Sequence, residues 1–442
     1  MEPIARTVWK SLGLTLAKCR IVNRSMATVD FRSDLIIRWP DLQPSHIPLI
    51  KQVGIQAVIL PHPDPVFDNA GIKTLPESEL KTFPLTQLPT DPGPYAALAT
   101  GRWPGIARPP SMTGWNVEIA SASREPWVDS NAYWIAYLRA LYPQAIPVLA
   151  YEANEAAGLG PERIVPFETL ILALAEARVM GGNYILSLDA PFRKALLASD
   201  AKAVAAWKQL GVTAKWLTDN KALFGLEPQP ILTALVEPGR ATAEIANLLF
   251  RRSGSPRLIA EVPARLPAGT LALVTTSIKP PTAQAAARML EHVTVGGISL
   301  VTDDAAPNAW WRSPQLKVVK TQSDRVFYAL GKGSIVAYNR KIADPSEHAF
   351  DVIDVVGHAR RAVRIWNANA AIAISSPGLV NLLNYSGRVR GSDTQVRIQG
   401  VYKTATLLRP GNEPLKLEAA RRGTTTEVFV PELGFAGTVV FG

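Results

Sequence analysis

The chain has few of the residues that build disulfides and metal sites. Among its 442 residues Cys19 is the only cysteine, so an intrachain disulfide and a zinc site made of cysteines are both excluded. Only five histidines are present, and no two of them stand four residues apart, the spacing that brings two imidazoles to one face of a helix. We therefore expect no metal ion and no cofactor. The histidines are His46, His62, His292, His348 and His358.

The sequence also lacks a long apolar run and a concentrated block of charge. No stretch approaches 18 apolar residues free of charge, so no membrane span is expected. The 47 basic and 37 acidic residues give a net charge of +10. Basic pairs such as Arg251-Arg252 and Arg360-Arg361 are scattered, whereas a nucleic-acid groove concentrates them with aromatic residues between. We interpret the excess as a basic solvated surface and expect no nucleic-acid partner.

Residues 1–29 are basic and weakly apolar, with Lys10 and Lys18 on either side of the segment SLGLTLA. A clean apolar core and a small-residue cleavage site, which mark a secretory signal, are both missing. The segment is interpreted either as a poor signal peptide or as an extension upstream of a start at Met26. We expect a soluble protein of bacterial type, and its compartment is left open between the cytoplasm, the periplasm and secretion.

From about residue 30 to 226 the chain alternates strands and helices. DLIIRW, the helix HIPLIKQVG and IQAVILP form a strand–helix–strand unit, which predicts a parallel sheet with a right-handed crossover. Residues 61–114 interrupt this rhythm with many prolines and glycines, and they are predicted to be mostly loop. Five or six strand–helix units are visible. The region is therefore predicted to be a (β/α)8-type barrel that either is incomplete or hides further strands in the insertion.

Two more regions follow. Residues 227–312 alternate short buried strands such as ILTALVEP with helices such as PTAQAAARMLEHV, which is typical of a doubly wound sheet. The turn at Val274–Ser277 has no glycine fingerprint, so a nucleotide site there is not expected. Residues 313–442 show many strands with period-two alternation, including SIVAYN, and they predict a C-terminal β-sandwich preceded by one helix, SEHAFDVIDVVGHA.

The most informative stretch runs from Ala145 to Asp189. It reads as a strand ending in carboxylates (IPVLAYEANE), a long apolar helix (PFETLILALAEARVMGG) and a second strand ending in a carboxylate (NYILSLD). In barrel enzymes the catalytic groups lie at the carboxyl ends of the strands. The positions of Glu152, Glu155 and Asp189 therefore predict an active site at the top of the barrel.

The order of the three regions resembles that of the family 42 β-galactosidases and related clan A glycoside hydrolases. YEANEAA carries Glu152 and Glu155 where that family places its nucleophile after the seventh strand, and ALAEARVMGGNYILSLDAPFR resembles the helix and strand that close its barrel. VNLLNYSG, TATLLRPG and EVFVPEL resemble its terminal sandwich. The resemblance implies a catalytic barrel in 30–226, an amidotransferase-like domain in 227–312 that lacks the cysteine for catalysis, and a β-domain in 313–442. It also implies a homo-oligomer formed through the middle domain. The Asn-Glu pair expected after the fourth strand is not identifiable.

Glycoside hydrolysis uses two carboxyl groups beside the scissile bond, one as acid and one as nucleophile or base. Glu152 has the best strand-end position and is predicted to be the nucleophile; the alternative is a structural carboxylate held by neighbouring donors. Glu125, in the loop SASREPWVDSN, is predicted to be the general acid, because acids, an arginine and a tryptophan lie together there. The alternative is a structural loop in which Asp129 or Ser130 caps the next helix.

Further residues are predicted to bind sugar hydroxyls or to stack on sugar rings, and each has a structural alternative. Glu155 otherwise caps the following loop, and Asp189 otherwise pairs with Arg193. A histidine or tryptophan at such a place is otherwise a loop or packing residue. The predicted substrate-binding residues are Trp127, Asp189, Glu155, Asn154, Arg124, Trp39, Trp103 and His62.

The leading hypothesis is thus a glycoside hydrolase with a carbohydrate substrate, similar to a β-galactosidase and retaining. The second hypothesis is a carbohydrate-binding or scaffold protein that keeps the architecture without catalysis. An unrelated α/β enzyme with a β-domain is the third. The sugar, its linkage, the stereochemical outcome and the oligomeric state do not follow from the sequence.

Overall fold

The computed structural model describes residues 28–105, 107–108, 127–160, 165–303, 309–339, 345–368, 370–386 and 394–442. Within them the chain forms a parallel barrel-like sheet, a mixed α/β sheet and a sandwich of two antiparallel sheets, in that order. The predicted fold class is therefore confirmed. None of the helices in these ranges is long and apolar enough to cross a membrane.

The barrel-like region consists of short strands joined by helices and turns. Its elements are β1 (Ile36–Arg38), α1 (Ile47–Gln52), β2 (Ala57–Leu60), α2 (Pro65–Asn69), β3 (Lys73–Pro76), β4 (Thr82–Phe83), β5 (Tyr95–Leu98), β6 (Ala107–Arg108), β7 (Trp127–Val128), α3 (Ala132–Leu141), β8 (Ile146–Leu149), α4 (Thr169–Val179), β9 (Asn183–Ser187), α5 (Ala190–Leu197) and α6 (Ala201–Asp219).

Seven of these strands form one parallel sheet in the order β3-β2-β1-β9-β8-β5-β4, while β6 and β7 pair separately. Because β9 lies beside β1, the strands follow chain order around a circle, as they do in a barrel. No ladder joins β3 to β4, so the barrel that the described residues form is open between these two strands. Residues 61–114, predicted to be mostly loop that could hide further strands, contain α2 and the short strands β3, β4, β5 and β6, so the insertion does hide strands. These strands are only two to four residues long, too short to show a strand pattern.

The second region is an α/β unit that begins after α6. Its elements are β10 (Leu232–Leu235), α7 (Arg240–Arg251), β11 (Arg257–Ile259), β12 (Ala272–Val274), α8 (Ala283–Thr294), β13 (Ser299–Asp303), β14 (Lys317–Thr321), β15 (Arg325–Leu330), β16 (Gly333–Tyr338) and α9 (Pro345–Val356).

The sheet of this region has the order β11-β10-β12-β13-β16-β15-β14, parallel as far as β16 and antiparallel beyond it. Leu248 of α7 and Val352 of α9 pack on one face, and Met289 of α8 packs on the other, so the sheet is doubly wound. SIVAYN was predicted to lie in the third region, but its strand β16 pairs with β13 and extends this sheet to Tyr338. The division of the chain into domains remains a prediction.

The third region is a β-sandwich. Its strands are β17 (Val363–Trp366), β18 (Ala371–Ser376), β19 (Leu379–Asn384), β20 (Thr394–Gln399), β21 (Ala405–Leu408), β22 (Leu415–Leu417), β23 (Ala420–Arg422), β24 (Thr425–Val430) and β25 (Ala436–Phe441). They form a four-stranded sheet, β17-β20-β24-β23, and a five-stranded sheet, β18-β19-β25-β21-β22.

The five-stranded sheet of the sandwich lies between the barrel and the four-stranded sheet. Leu383 and Tyr385 belong to the apolar core of the barrel, whereas Leu382 belongs to the core between the two sheets of the sandwich. Helix α4 contacts both β9 of the barrel and β19 of the sandwich. Every residue of α4 except Arg178 is therefore buried, which explains why apolar residues lie on all faces of this helix.

Candidate active site

The last residue of β1, Arg38, brings two carboxylates together at the carboxyl ends of the barrel strands. Its Nη2 lies 3.0 Å from Oε1 of Glu77, and its Nη1 lies 3.4 Å from Oε1 of Glu152. Nη1 also donates to the carbonyl oxygen of Ala150 at 3.1 Å. Glu77 follows β3 and Glu152 follows β8, so the ends of three strands meet at this guanidinium.

The three side chains differ sharply in their access to solvent. Arg38 is 8% exposed, while Glu77 is 45% and Glu152 is 57% exposed. A buried cation needs opposite charge beside it, and the two glutamates supply that charge from the solvent side. A ligand at the barrel top therefore meets two accessible carboxylates that a buried arginine holds in place.

Glu152 is also fixed by the turn that follows it. Nδ2 of Asn154 lies 3.4 Å from Oε2 of Glu152, and the backbone N–H of Ala153 donates to Oγ of Ser187 at the end of β9. Oδ1 of Asn154 accepts from Ala157 and caps the short 3-10 helix Glu155–Ala157. Asn154 thus lies beside the predicted nucleophile, and Glu155 is exposed on the capped turn.

Asp189 caps a helix. Its carboxylate accepts from the backbone N–H of Phe192 at 2.7 Å at the start of α5, and burial raises the pKa of this carboxyl group. Arg193, its predicted alternative partner, lies instead 3.7 Å from Asp41. Helix capping thus engages one oxygen, Oδ1, of this carboxylate.

The structure corrects the prediction for two tryptophans. Trp39 is 0% exposed and stacks on His46, and Trp103 is 4% exposed. Both belong to the apolar core of the barrel, so the prediction that they line a sugar cleft was wrong. His62, which follows β2, is exposed.

The predicted general acid cannot be placed. Arg124 and Glu125 lie outside the described residues, and of Trp127 only the backbone position in β7 is described. Their roles remain predictions.

Sequence reasoning missed Arg38 and Glu77. Glu77 was hidden because the short strand KTLP before it was predicted to be loop. A signal for Arg38 was present, since an arginine at the end of the apolar run DLIIRW has to meet a counter-charge when the strand is buried.

A third carboxylate, Glu176, lies entirely inside the protein. Its oxygens accept from the backbone N–H of Asn131 at 2.8 Å, from Nδ2 of Asn131 at 2.7 Å and from the hydroxyl of Tyr385 at 3.0 Å. Burial raises the pKa of Glu176 to about 7, although these hydrogen bonds oppose the rise. Because Tyr385 comes from the sandwich, this carboxyl group joins the sandwich to helices α3 and α4.

Asn131 extends this network to the top of the barrel. Its Oδ1 accepts from the backbone N–H of Arg102 at 2.8 Å, and its Nδ2 donates to the carbonyl of Arg102 at 2.6 Å. Next to Arg102, an added Cβ on Gly101 would lie 2.2 Å from the ring of Tyr151, the residue before Glu152. The network therefore fixes the loop 101–105 against the strand end that carries Glu152.

The carboxyl end of the doubly wound sheet is built differently. The backbone N–H of Ser277 donates to Asp303 at 2.8 Å, and that of Lys279 donates to Glu237 at 2.8 Å. A nucleotide phosphate needs such amides free. The amides of Ser277 and Lys279 already donate to carboxylates, so they are not free to bind a phosphate. Among the described residues no group of three or more histidine, cysteine or acidic side chains is placed to hold a metal ion.

Comparisons with known proteins connect the fold to glycoside hydrolases. No protein-family model matches the chain, and no curated protein matches its sequence. The α-L-fucosidase isoenzyme 2 from Paenibacillus thiaminolyticus is similar in structure over 93% of this chain and 99% of its own, with 8% identity and a TM-score of 0.54.

Two other solved structures are more distant. A GH42 β-galactosidase from G. stearothermophilus matches 76% of this chain and 59% of its own, with 11% identity and a TM-score of 0.44. A rhamnosidase from Novosphingobium matches 69% and 32%, with 13% identity and a TM-score of 0.39. The resemblance to glycoside hydrolases is confirmed as a distant relation of fold, which the fucosidase structure shows.

Proposed function

We propose that the protein is a glycoside hydrolase that cleaves a β-linked sugar at the carboxyl ends of the barrel strands, with retention of configuration. The observation that carries the proposal is the convergence of Glu77 and Glu152 on the buried Arg38. Both carboxylates are accessible, and they stand where barrel enzymes hold their catalytic groups.

The separation of the two carboxylates fits this chemistry. Their Oε1 atoms lie within 3.4 Å of the terminal nitrogens of one guanidinium. They are therefore no more than about 9 Å apart, which does not exceed the upper limit of the range of about 5–9.5 Å that glycosidases use. Retention of configuration requires a separation of about 5 Å, so the experiment below also determines whether the anomeric configuration is retained.

In the proposed reaction Glu152 attacks the anomeric carbon, and an acid protonates the leaving oxygen. Arg38 and Asn154 hold the Glu152 carboxylate in place. Glu125 remains the proposed acid, which then serves as the base that activates water. Arg124, Trp127, Asp189, Glu155 and His62 are the proposed substrate-binding residues.

One observation favours a second function, a carbohydrate-binding protein without catalysis. Glu77 and Glu152 both form ion pairs with the one guanidinium of Arg38, so neither is a carboxyl group free of a cationic partner. If Glu125 does not reach the site, the barrel top keeps a sugar-binding surface and lacks the acid.

The test is hydrolysis of a panel of aryl β- and α-glycosides by the wild type and by the single variants Glu152→Gln, Glu125→Gln and Glu77→Gln. We expect release from a β-glycoside with the retained anomer seen first by NMR, and loss of turnover in Glu152→Gln. Loss in Glu125→Gln but not in Glu77→Gln assigns the acid to Glu125, and the reverse assigns it to Glu77.

The matched control is Glu79→Gln, because Glu79 is an exposed carboxylate on the same short helix as Glu77. It should keep wild-type turnover. A folded protein that hydrolyses no sugar of the panel but binds one in calorimetry would replace the proposal with the second function.

A further inference from the structure

The outer face of the four-stranded sheet in the sandwich carries aromatic and basic side chains where a solvated sheet normally carries small polar ones. Val363, Val396 and Val428 point inward into the core of the sandwich. Their strand neighbours point outward by alternation. The five-stranded sheet packs on the barrel, so this outer face is the side of the sandwich farthest from the barrel.

A row of side chains crosses this face in register. Trp366 pairs with Gln395, and Gln395 pairs with Phe429, so one row runs across β17, β20 and β24. Neighbouring strands lie about 4.8 Å apart, which puts the two aromatic residues roughly 10 Å from each other. Phe429 is 57% exposed, and Trp366 is partly exposed. The row therefore offers two ring surfaces with an amide between them.

Arginines surround the tryptophan. The guanidinium carbon of Arg364 lies 4.4 Å from the centre of the Trp366 ring, and that of Arg397 lies 4.9 Å from it. Such cation–π contacts hold an indole in one orientation. Trp366 is thus a fixed surface residue.

Three arginines and one carboxylate lie on the face, and the carboxylate engages two of the arginines. Glu427 accepts from Arg397 at 2.6 Å and also lies 3.7 Å from Arg422. Arg364 has no ion pair with any residue that the structure describes. A ligand on this face therefore meets two aromatic rings and one arginine that forms no ion pair with a described residue.

We propose that this face binds an extended acidic polysaccharide. The CH faces of two sugar rings stack on Trp366 and Phe429, and a carboxylate of the chain pairs with Arg364. Single-stranded nucleic acid also stacks on aromatic residues, but it needs cations along its whole track. Here Glu427 already pairs with two of the three arginines, so a chain of sparse charge fits better.

The experiment is calorimetric titration of the full chain with polygalacturonate, with methyl-esterified polygalacturonate, and with a single-stranded oligothymidylate. We expect polygalacturonate to bind more tightly than its uncharged ester, and oligothymidylate to bind weakest. Trp366→Ala should weaken binding of polygalacturonate by about tenfold, the scale of one lost stacking contact. Arg364→Gln should remove the preference for the charged polymer.

The control is Phe350→Ala. Phe350 is also exposed and also carries an arginine over its ring, with Arg252 at 4.5 Å, but it lies on α9. Its loss should leave binding unchanged. Glu152→Gln should bind polygalacturonate as the wild type does, so this test is independent of catalysis in the barrel. Equal binding by Trp366→Ala and wild type, or tighter binding of oligothymidylate, would overturn the proposal.

Discussion

The barrel and the doubly wound sheet both place carboxylates at the carboxyl ends of parallel strands, but the two regions use them differently. In the barrel, Glu77 and Glu152 share the guanidinium of Arg38 and stay about half exposed. In the doubly wound sheet, Asp303 and Glu237 accept from backbone amides of the turn after β12. A place at a strand end therefore does not by itself make a carboxylate catalytic. What matters is whether the carboxylate remains accessible to a ligand or is bonded to backbone amides of its own turn.

The largest effect should come from exchanging one carboxylate in each region. Glu152→Gln should lower kcat/KM on an accepted glycoside by about 10³-fold, because it removes the group that attacks or activates. Glu237→Gln should leave kcat/KM within about twofold of the wild type. Steady-state kinetics of the two purified variants checks both values. An equal loss in both would end the distinction between the regions.

Glu176 differs from the exposed carboxylates Glu77 and Glu152 because it is fully buried. Its pKa is raised from 4.5 to about 7, so the folded state holds its proton more tightly than the unfolded state does. The free energy of unfolding should therefore fall as the pH rises from about 4.5 to about 7, by roughly 3 kcal/mol in total. Urea unfolding at several pH values measures this. Glu176→Gln should flatten the profile over that window, and parallel profiles would contradict the assignment.

Removing the shared cation tests the barrel site through stability. Arg38→Gln should lower the free energy of unfolding by about 1–2 kcal/mol, less than for a fully buried pair because solvent reaches both glutamates. Lys215→Gln breaks an exposed ion pair with Asp219 and should cost less than about 0.5 kcal/mol. Denaturant unfolding of both variants measures these losses of unfolding free energy. Equal losses in the two variants would mean that the ion pairs of Arg38 contribute no more to stability than an exposed pair does.

The smallest effect should come from the doubly wound sheet. Asp303→Ala removes the acceptor for the Ser277 amide and should cost about 1 kcal/mol of stability without lowering turnover. Thermal unfolding and a glycoside assay of the same preparation provide the two readings. A loss of activity at unchanged stability would show that this turn, too, belongs to an active site.

The sequence predicted much of the fold, because long apolar strands and amphipathic helices carry a clear period. It failed where strands are short: β3 and β4 leave too few residues for any alternation to show, so a loop was predicted there. The strand SIVAYN was predicted to belong to the sandwich, but it pairs with β13 of the doubly wound sheet. The residues of a strand do not show which other strand it pairs with.

The site was predictable in part for the same physical reasons. The rule that barrel enzymes carry their catalytic groups at strand ends led to Glu152, whose catalytic role is a proposal. Glu77 could not be identified as a strand-end residue without recognising the strand β3 before it. Arg38 can be identified only once β1 is known to be buried, because a buried arginine requires an acidic partner. Trp39 and Trp103 were misassigned, since the residue type alone does not distinguish a core tryptophan from a sugar-stacking one.

The most direct test of the central proposal is covalent trapping. The protein is incubated with an aryl 2-deoxy-2-fluoro-β-glycoside of the sugar that it hydrolyses fastest, and the labelled peptide is identified by mass spectrometry. A retaining glycosidase with Glu152 as nucleophile should carry one sugar on the peptide that contains Glu152. A label on another carboxylate, or inverted product with no trapped intermediate, would contradict the account.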